Sequence, residues 1–219
     1  MRRLAATAAV CVIAMTVSCA SSTRESAPPP SSDTPPKPEL TELTSSMFVD
    51  RSAAPNGPAT EFAPPDIGEV TPGSREPVDP PECAAMYWGP DSTQAGSVSW
   101  STTRTPDTSS VEQLRVFQLF LSVPVERPDF VALLGKCATV TYQGVATTAS
   151  LLRLPGVPSW ATATRIVTQV ADGAGIIGLC RGLYVSVAFT RKPGGELSPD
   201  DTNDLVKLFN DQVAKLEAI

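Results

Sequence analysis

The 219-residue chain contains no histidine. That absence removes the Ser-His-Asp arrangement and the commonest general base and metal ligand together. No Gly-x-Ser-x-Gly and no Ser-x-x-Lys occurs, so the other familiar serine nucleophiles are missing as well. The chain also lacks Cys-x-x-Cys, which removes zinc and dithiol redox motifs. Aromatic residues are scarce, at 6%, so each one is worth locating. Basic residues are the minority charge, 17 against 23 acidic, and nothing forms the basic footprint that nucleic-acid binding requires. No metal, cofactor or nucleic-acid partner is expected, and an enzyme is not expected either.

What is present begins with an export signal. Arg2 and Arg3 precede an apolar stretch over residues 4–17, shorter than the roughly 20 residues a spanning helix needs. Thr16-Val17-Ser18-Cys19 then fits a lipobox, in which small residues lead up to a cysteine that takes a diacylglycerol on its sulfur before cleavage. Residues 1–18 therefore read as a lipoprotein signal peptide and Cys19 as the lipidation site. An ordinary secretory signal or an uncleaved anchor would require the polar tail after Cys19 to be coincidental. Cleavage removes two arginines, so the mature chain carries 17 − 2 = 15 basic and 23 acidic residues, net −8. Anionic headgroups would not attract such a surface, so attachment to the membrane must come from the acyl chains, of which two or three hold firmly. The expected location is the extracytoplasmic face of a cell membrane.

Residues 19–38 are rich in Ser, Thr and Pro and read as a disordered tether that lifts the domain off the membrane. Residues 39–79 read as a lead-in, with a helical turn or two carrying Leu40, Leu43 and Phe48, then a proline-rich loop pinned by Phe62, Ile67 and Val70. The compact domain is expected over residues 80–219, a usual size for one core. Pro80-Pro81-Glu82-Cys83 opens a short helix that runs to Trp88, and Val98 and Trp100 alternate with serines in a strand. Residues 114–123 are nearly all apolar, as for a central strand buried on both faces. Thr-rich alternation over 145–154 and 163–170 suits strands with one wet face. Residues 176–190 read as one strand, with Leu183, Val185, Val187 and Phe189 on one side. Cys180, Gly182, Ser186 and Ala188 form a small-residue side able to accept a helix.

Two helices announce their starts. Pro128 precedes Phe130, Leu133, Leu134 and Cys137 at helical spacing. Ser198-Pro199-Asp200-Asp201 is a cap with Pro at the first position, followed by the stripe Leu205, Leu208, Phe209, Val213 and Leu216. The order of elements predicts an α+β fold, a mainly antiparallel sheet packed by helices.

Gly173-Ala174-Gly175-Ile176-Ile177-Gly178 matches Gly-x-Gly-x-x-Gly, but a dinucleotide site needs a helix after the glycines and a strand pattern follows. Asp172-Gly173 reads as a hairpin turn instead. The acidic pairs Asp200-Asp201 and Glu126 with Asp129 lie at helix starts, where capping explains them. Tyr87, Trp88, Trp100 and Trp160 are the candidate lining of an apolar groove for a lipid or sugar, although closing the core's edge would explain each of them too. In the folded part three cysteines remain, Cys83, Cys137 and Cys180. Spacing leaves all three pairings of one disulfide open.

Pro80-Pro81-Glu82-Cys83, the helix ending at Cys137, the segment Cys180-Arg181-Gly182-Leu183 and the closing amphipathic helix resemble the extracellular sensor domain of mycobacterial PknH-type Ser/Thr kinases, a domain also found in actinobacterial lipoproteins. The resemblance spans roughly residues 40–219. It implies an α+β fold with a cleft, stabilised by disulfides and binding an envelope ligand. It also implies a Cys83–Cys137 bridge that leaves Cys180 as a buried free thiol, with Cys137–Cys180 as the rival pairing. The family's usual four cysteines are three here. Two kinds of partner fit the whole reading: a small envelope ligand held by a non-catalytic sensor-like domain, or another envelope protein contacted by a structural or adaptor lipoprotein.

Overall fold

The computed structural model describes residues 37–55, 59–70, 77–104, 113–142, 144–168, 172–192 and 197–219. Cys19, the signal peptide and nearly all of the tether lie outside the described residues. Residues 37–219 form one compact unit. Twelve regular elements follow in order: β1 (Ala59–Glu69), β2 (Val78–Asp79), α1 (Ala84–Trp88), β3 (Ser92–Arg104), β4 (Gln113–Pro124), α2 (Phe130–Lys136), β5 (Thr139–Tyr142), β6 (Val145–Leu152), β7 (Ala161–Val167), β8 (Asp172–Cys180), β9 (Leu183–Lys192) and α3 (Pro199–Ala218). The nine strands make a single antiparallel sheet in the order β1-β3-β4-β9-β8-β7-β6-β5-β2. The fold is α+β, as the order of elements implies.

α3 forms where the sequence marks it. Ser198 accepts from the Asp201 amide while the Asp201 carboxylate accepts from the Ser198 amide, a reciprocal cap with Pro199 at the first position. Its stripe packs Leu205, Leu208, Phe209 and Leu216 onto Leu183, Val185, Val187 and Phe189 of β9, in one cluster with Trp100, Phe117 and Leu119. The helix thus sits on the large-residue side of β9, while Phe130 at the start of α2 meets Tyr184 on the other side. Area decides this: only the branched and aromatic side bury enough apolar surface to hold a 20-residue helix.

Three further readings are corrected. Within the proline-rich lead-in expected to be a loop, Ala59–Glu69 and Val78–Asp79 are strands, and these two, β1 and β2, are the outermost of the sheet. Proline hid β1: Pro64 and Pro65 fall at a register shift between Ala63 and Asp66, tolerable on an edge strand that needs no second partner. β4 is buried on one face only, since Arg115, Phe117, Leu119 and Leu121 are enclosed while Gln118 and Phe120 are exposed. Residues 176–190 are two strands joined by a tight turn, with Arg181 at φ 49° and Gly182 at φ 86°, the pairing of positive angles that suits a two-residue hairpin. The turn places Cys180 opposite Leu183 and so on the core face, not on the small-residue face.

The glycine run has a packing role. Gly173 and Gly175 lie within β8, not at a turn, and a Cβ on Gly173 would stand 2.7 Å from the Phe189 carbonyl oxygen. At Gly178 a Cβ would collide with the Trp160 ring, so that glycine is the seat on which Trp160 rests.

The lead-in is fastened by polar contacts as well as by Phe48. Gln212, fully buried on α3, accepts from the Val49 amide at 3.0 Å and donates to the Met47 carbonyl at 2.7 Å. Arg181 donates to the Pro38 and Leu216 carbonyls, while Lys37 donates to the Glu217 carbonyl. These bonds tie the start of the described chain to the β8–β9 turn and the C-terminal end of α3.

Candidate functional site: an aliphatic groove

The strand register gives the sheet two ends. Ser122 pairs with Tyr184, Cys180 with Leu183, Gly178 with Ala161, and Leu152 with Ala163. The end of β4, the β8–β9 turn, the start of β7 and the end of β6 are therefore on the same side. At this end, residues 153–160 leave β6, cover Gly178 with Trp160 and return as β7. Asn210 of α3 donates to the Gly156 carbonyl at 3.1 Å and holds the loop in place.

Between this loop, the end of β6 and α2 lies a groove of about 420 Å³. Val131 of α2, Leu151 and Leu152 of β6, and Leu154, Val157 and Pro158 of the loop give it aliphatic walls, with Arg153 and Thr162 as polar contributors. That volume lies in the range of small-ligand sites. Val131 is 60% and Leu151 52% exposed, so the apolar lip is open to solvent. None of the lining residues is a carboxylate. The groove offers contact area to an acyl chain, a sterol-like body or an apolar side chain, and the described residues lining it hold no pair of carboxylates.

The carboxylates that do converge are elsewhere and enclosed. Arg115 donates from Nε to Asp201 at 2.9 Å and from Nη2 to Asp204 at 2.6 Å, all three side chains being almost wholly buried. Arg191 donates to the other Asp201 oxygen, and the Arg115 guanidinium lies 5.1 Å from the centre of the Phe117 ring. This cluster locks the first turn of α3 onto β4 and β9, and its acids are fully engaged.

The four candidate aromatics do not line one groove. Trp100 is 0% exposed, tilted against Phe62, with its indole N–H enclosed and without a partner among the described residues. Its place is the core. Tyr87 belongs to the small cluster around the disulfide, where burial pushes its phenol above the usual value. Trp160 packs on Phe209 with ring centres 5.8 Å apart and remains 47% exposed beside the groove's Ser159. The side chain of Trp88 lies outside the description. Sequence reasoning missed the groove because its walls are aliphatic and come from three separated segments.

Cys83 and Cys137 form the disulfide, 54 residues apart, enclosed by Val78 and Val140. Cys180 is a buried free thiol. Burial chiefly, and the Glu217 carboxylate next, push its pKa from 9.0 to about 11.

No family model and no curated protein matches the chain. Among solved structures, the extracellular domain of PknH from Mycobacterium tuberculosis aligns with a TM-score of 0.49 and 14% identity, over 84% of this chain and 99% of that one. Among the described residues no helix is long and apolar enough to cross a membrane, and no cluster of acidic residues and cysteines has the makings of a metal site.

Proposed function

We propose that this chain is a lipoprotein anchored through Cys19 to the extracytoplasmic face of the cell membrane, carrying a non-catalytic, sensor-like domain that binds an apolar envelope ligand in the groove between α2, β6 and residues 153–160. The groove carries the binding part of the reading, because its walls are aliphatic and no carboxylate is among the described residues that line it. A disulfide within the domain fits an oxidising compartment, which agrees with the signal and lipobox. The test is native mass spectrometry of the protein purified from its own envelope in mild detergent. The expected result is an adduct of lipid or glycolipid mass that is lost in Leu151→Asp and Val131→Asp. A bare protein mass in the parent would discard ligand binding. Anchoring is checked separately by detergent phase partitioning: Cys19→Ala should give either uncleaved protein or protein that has left the detergent phase, and an alanine variant that is correctly cleaved and still partitions there refutes lipidation.

The second reading, an adaptor that contacts another envelope protein, draws on the exposed lip of the same groove, since Val131 and Leu151 offer apolar surface to a partner as readily as to a ligand.

A further inference from the structure

Seven large apolar side chains among the described residues are exposed, and they are unevenly placed. Val125, 65% exposed, follows the end of β4 and donates its amide to Asp91 just before β3. Val131 and Leu151 form the lip of the groove, and Trp160 stands immediately before β7. Ile219 follows the C-terminal end of α3, whose Leu216 carbonyl is held by Arg181 of the β8–β9 turn. All five lie at one end of the sheet. Of the other two, Phe120 is midway along β4 and Val167 closes β7 at the opposite end.

The chain also arrives at this end. Lys37 bonds Glu217, Pro38 and Leu40 bond Arg181, and Glu39 pairs with Arg127 at 3.1 Å just before α2. Residues 19–36 are the only link from Cys19 to Lys37, and 18 residues cannot reach farther than about 65 Å even when fully extended. A lipid on Cys19 would therefore keep the end of the domain at which Lys37 lies within that reach of the bilayer. Short linkers of this kind give local concentrations on the order of millimolar, so a shallow apolar contact suffices.

We infer that the end of the domain bearing Val125, Val131, Leu151 and Trp160 is a membrane-docking surface, seated on the lipid bilayer that carries the anchor. This rests on the anchored reading above and adds the orientation of the domain. Trp160 is suited to the contact because an indole favours the water–lipid boundary. Apolar burial drives the docking, so it needs no anionic lipid and resists salt.

The test supplies the tether chemically and so does not depend on native lipidation. The mature chain is coupled through Cys19 to a maleimide-headgroup lipid in neutral phosphatidylcholine vesicles. Cys180 does not compete, being buried with its thiol held protonated. Vesicles with brominated acyl chains then quench tryptophan within reach of the bilayer. The expected result is a quenching increment that disappears in Trp160→Phe and falls at least several-fold in Val125→Ser/Val131→Ser/Leu151→Ser. The control Phe120→Ser/Val167→Ser, whose side chains are exposed away from this end, should quench like the parent. All these positions are solvent-exposed, so circular dichroism should show each variant folded. Absence of quenching in the parent, quenching unchanged in Trp160→Phe, equal loss in the control, quenching that requires anionic lipid, or a dimer that buries the same residues would each overturn the docking surface. Lack of native lipidation at Cys19 would remove the anchor but would leave this result standing.

Discussion

Around α3 the sheet buries Trp100, Phe117, Phe189 and Phe209 in one continuous cluster, whereas at the β2–β5 edge Val78 and Val140 are the fully buried aliphatics that close around Cys83 and Cys137. The two regions solve the same problem with different means. The large cluster excludes enough water to cover even the charged Arg115, Asp201 and Asp204. The small one has too little apolar area to secure β2, a strand of two residues, and a covalent link takes over that task. Cysteine shows the contrast directly: bonded where packing is thin, left as an inert thiol where packing is thick.

The contrast breaks most severely in the large cluster. Phe209→Asp places an unpaired charge against Trp160 and β9, at a cost of several kcal/mol out of the roughly 5–15 that a domain possesses. The variant should fail to give a cooperative melt, and a parent-like melt would show α3 to be peripheral. Arg115→Ala comes next, because it removes the buried guanidinium that Asp201 and Asp204 both bond. A loss of about 3–5 kcal/mol is expected by denaturant titration. Asp204→Ala should restore part of that loss in the double variant, since one of the buried carboxylates goes with it.

The small cluster should yield to chemistry rather than to charge. Cys83→Ser/Cys137→Ser removes a constraint worth about 4 kcal/mol in the loop-entropy model for a 54-residue separation. Hydrogen exchange should then rise first at Val140 and Val78, with the amides of β9 still protected. Equal loss of protection in both regions would mean that they unfold as one unit.

The smallest effect is a pH slope. The folded state raises the Cys180 thiol from 9.0 to about 11, so it retains a proton that the unfolded chain gives up. That stabilising contribution is whole below pH 9 and is lost as pH climbs toward 11. Cys180→Ala should flatten the fall in stability that begins near pH 9. Tyr87 and Tyr184, both raised by burial, keep their share of the slope from about pH 10 upward. If parent and variant show the same slope from pH 9, the thiol is not in the environment described.

What the sequence disclosed follows the strength of local signals. The start of α3 was legible to the residue, because Ser198, Pro199, Asp201 and a five-residue stripe all act within one helix. Cys137 on the α2 pattern and the Pro-Pro lead into Cys83 were legible as elements, and the family resemblance implied their pairing. β1 was not, since Pro64 and Pro65 are the usual marks of a loop and only their place on an edge makes them acceptable. The β8–β9 hairpin lay hidden because Arg181-Gly182 interrupts two apolar strands without the usual Asn or Asp. Arg115 offered no hint of its two partners, which come 86 and 89 residues later and from another element. The groove was invisible for a similar reason: Val131, Leu151 and Pro158 become neighbours only through the sheet.

One property of the strand order has a mechanical consequence. β1 and β2 are neighbours in sequence but the opposite margins of the sheet, eight inter-strand steps apart. Laid flat, those margins would stand about 38 Å from each other at the usual strand spacing of about 4.8 Å. From Glu69 to Val78 the backbone extends no farther than about 32 Å. The sheet therefore cannot lie flat. The covalent link between Glu69 and Val78 sets an upper limit on how widely the curved sheet can spread. Cutting that link would remove the limit.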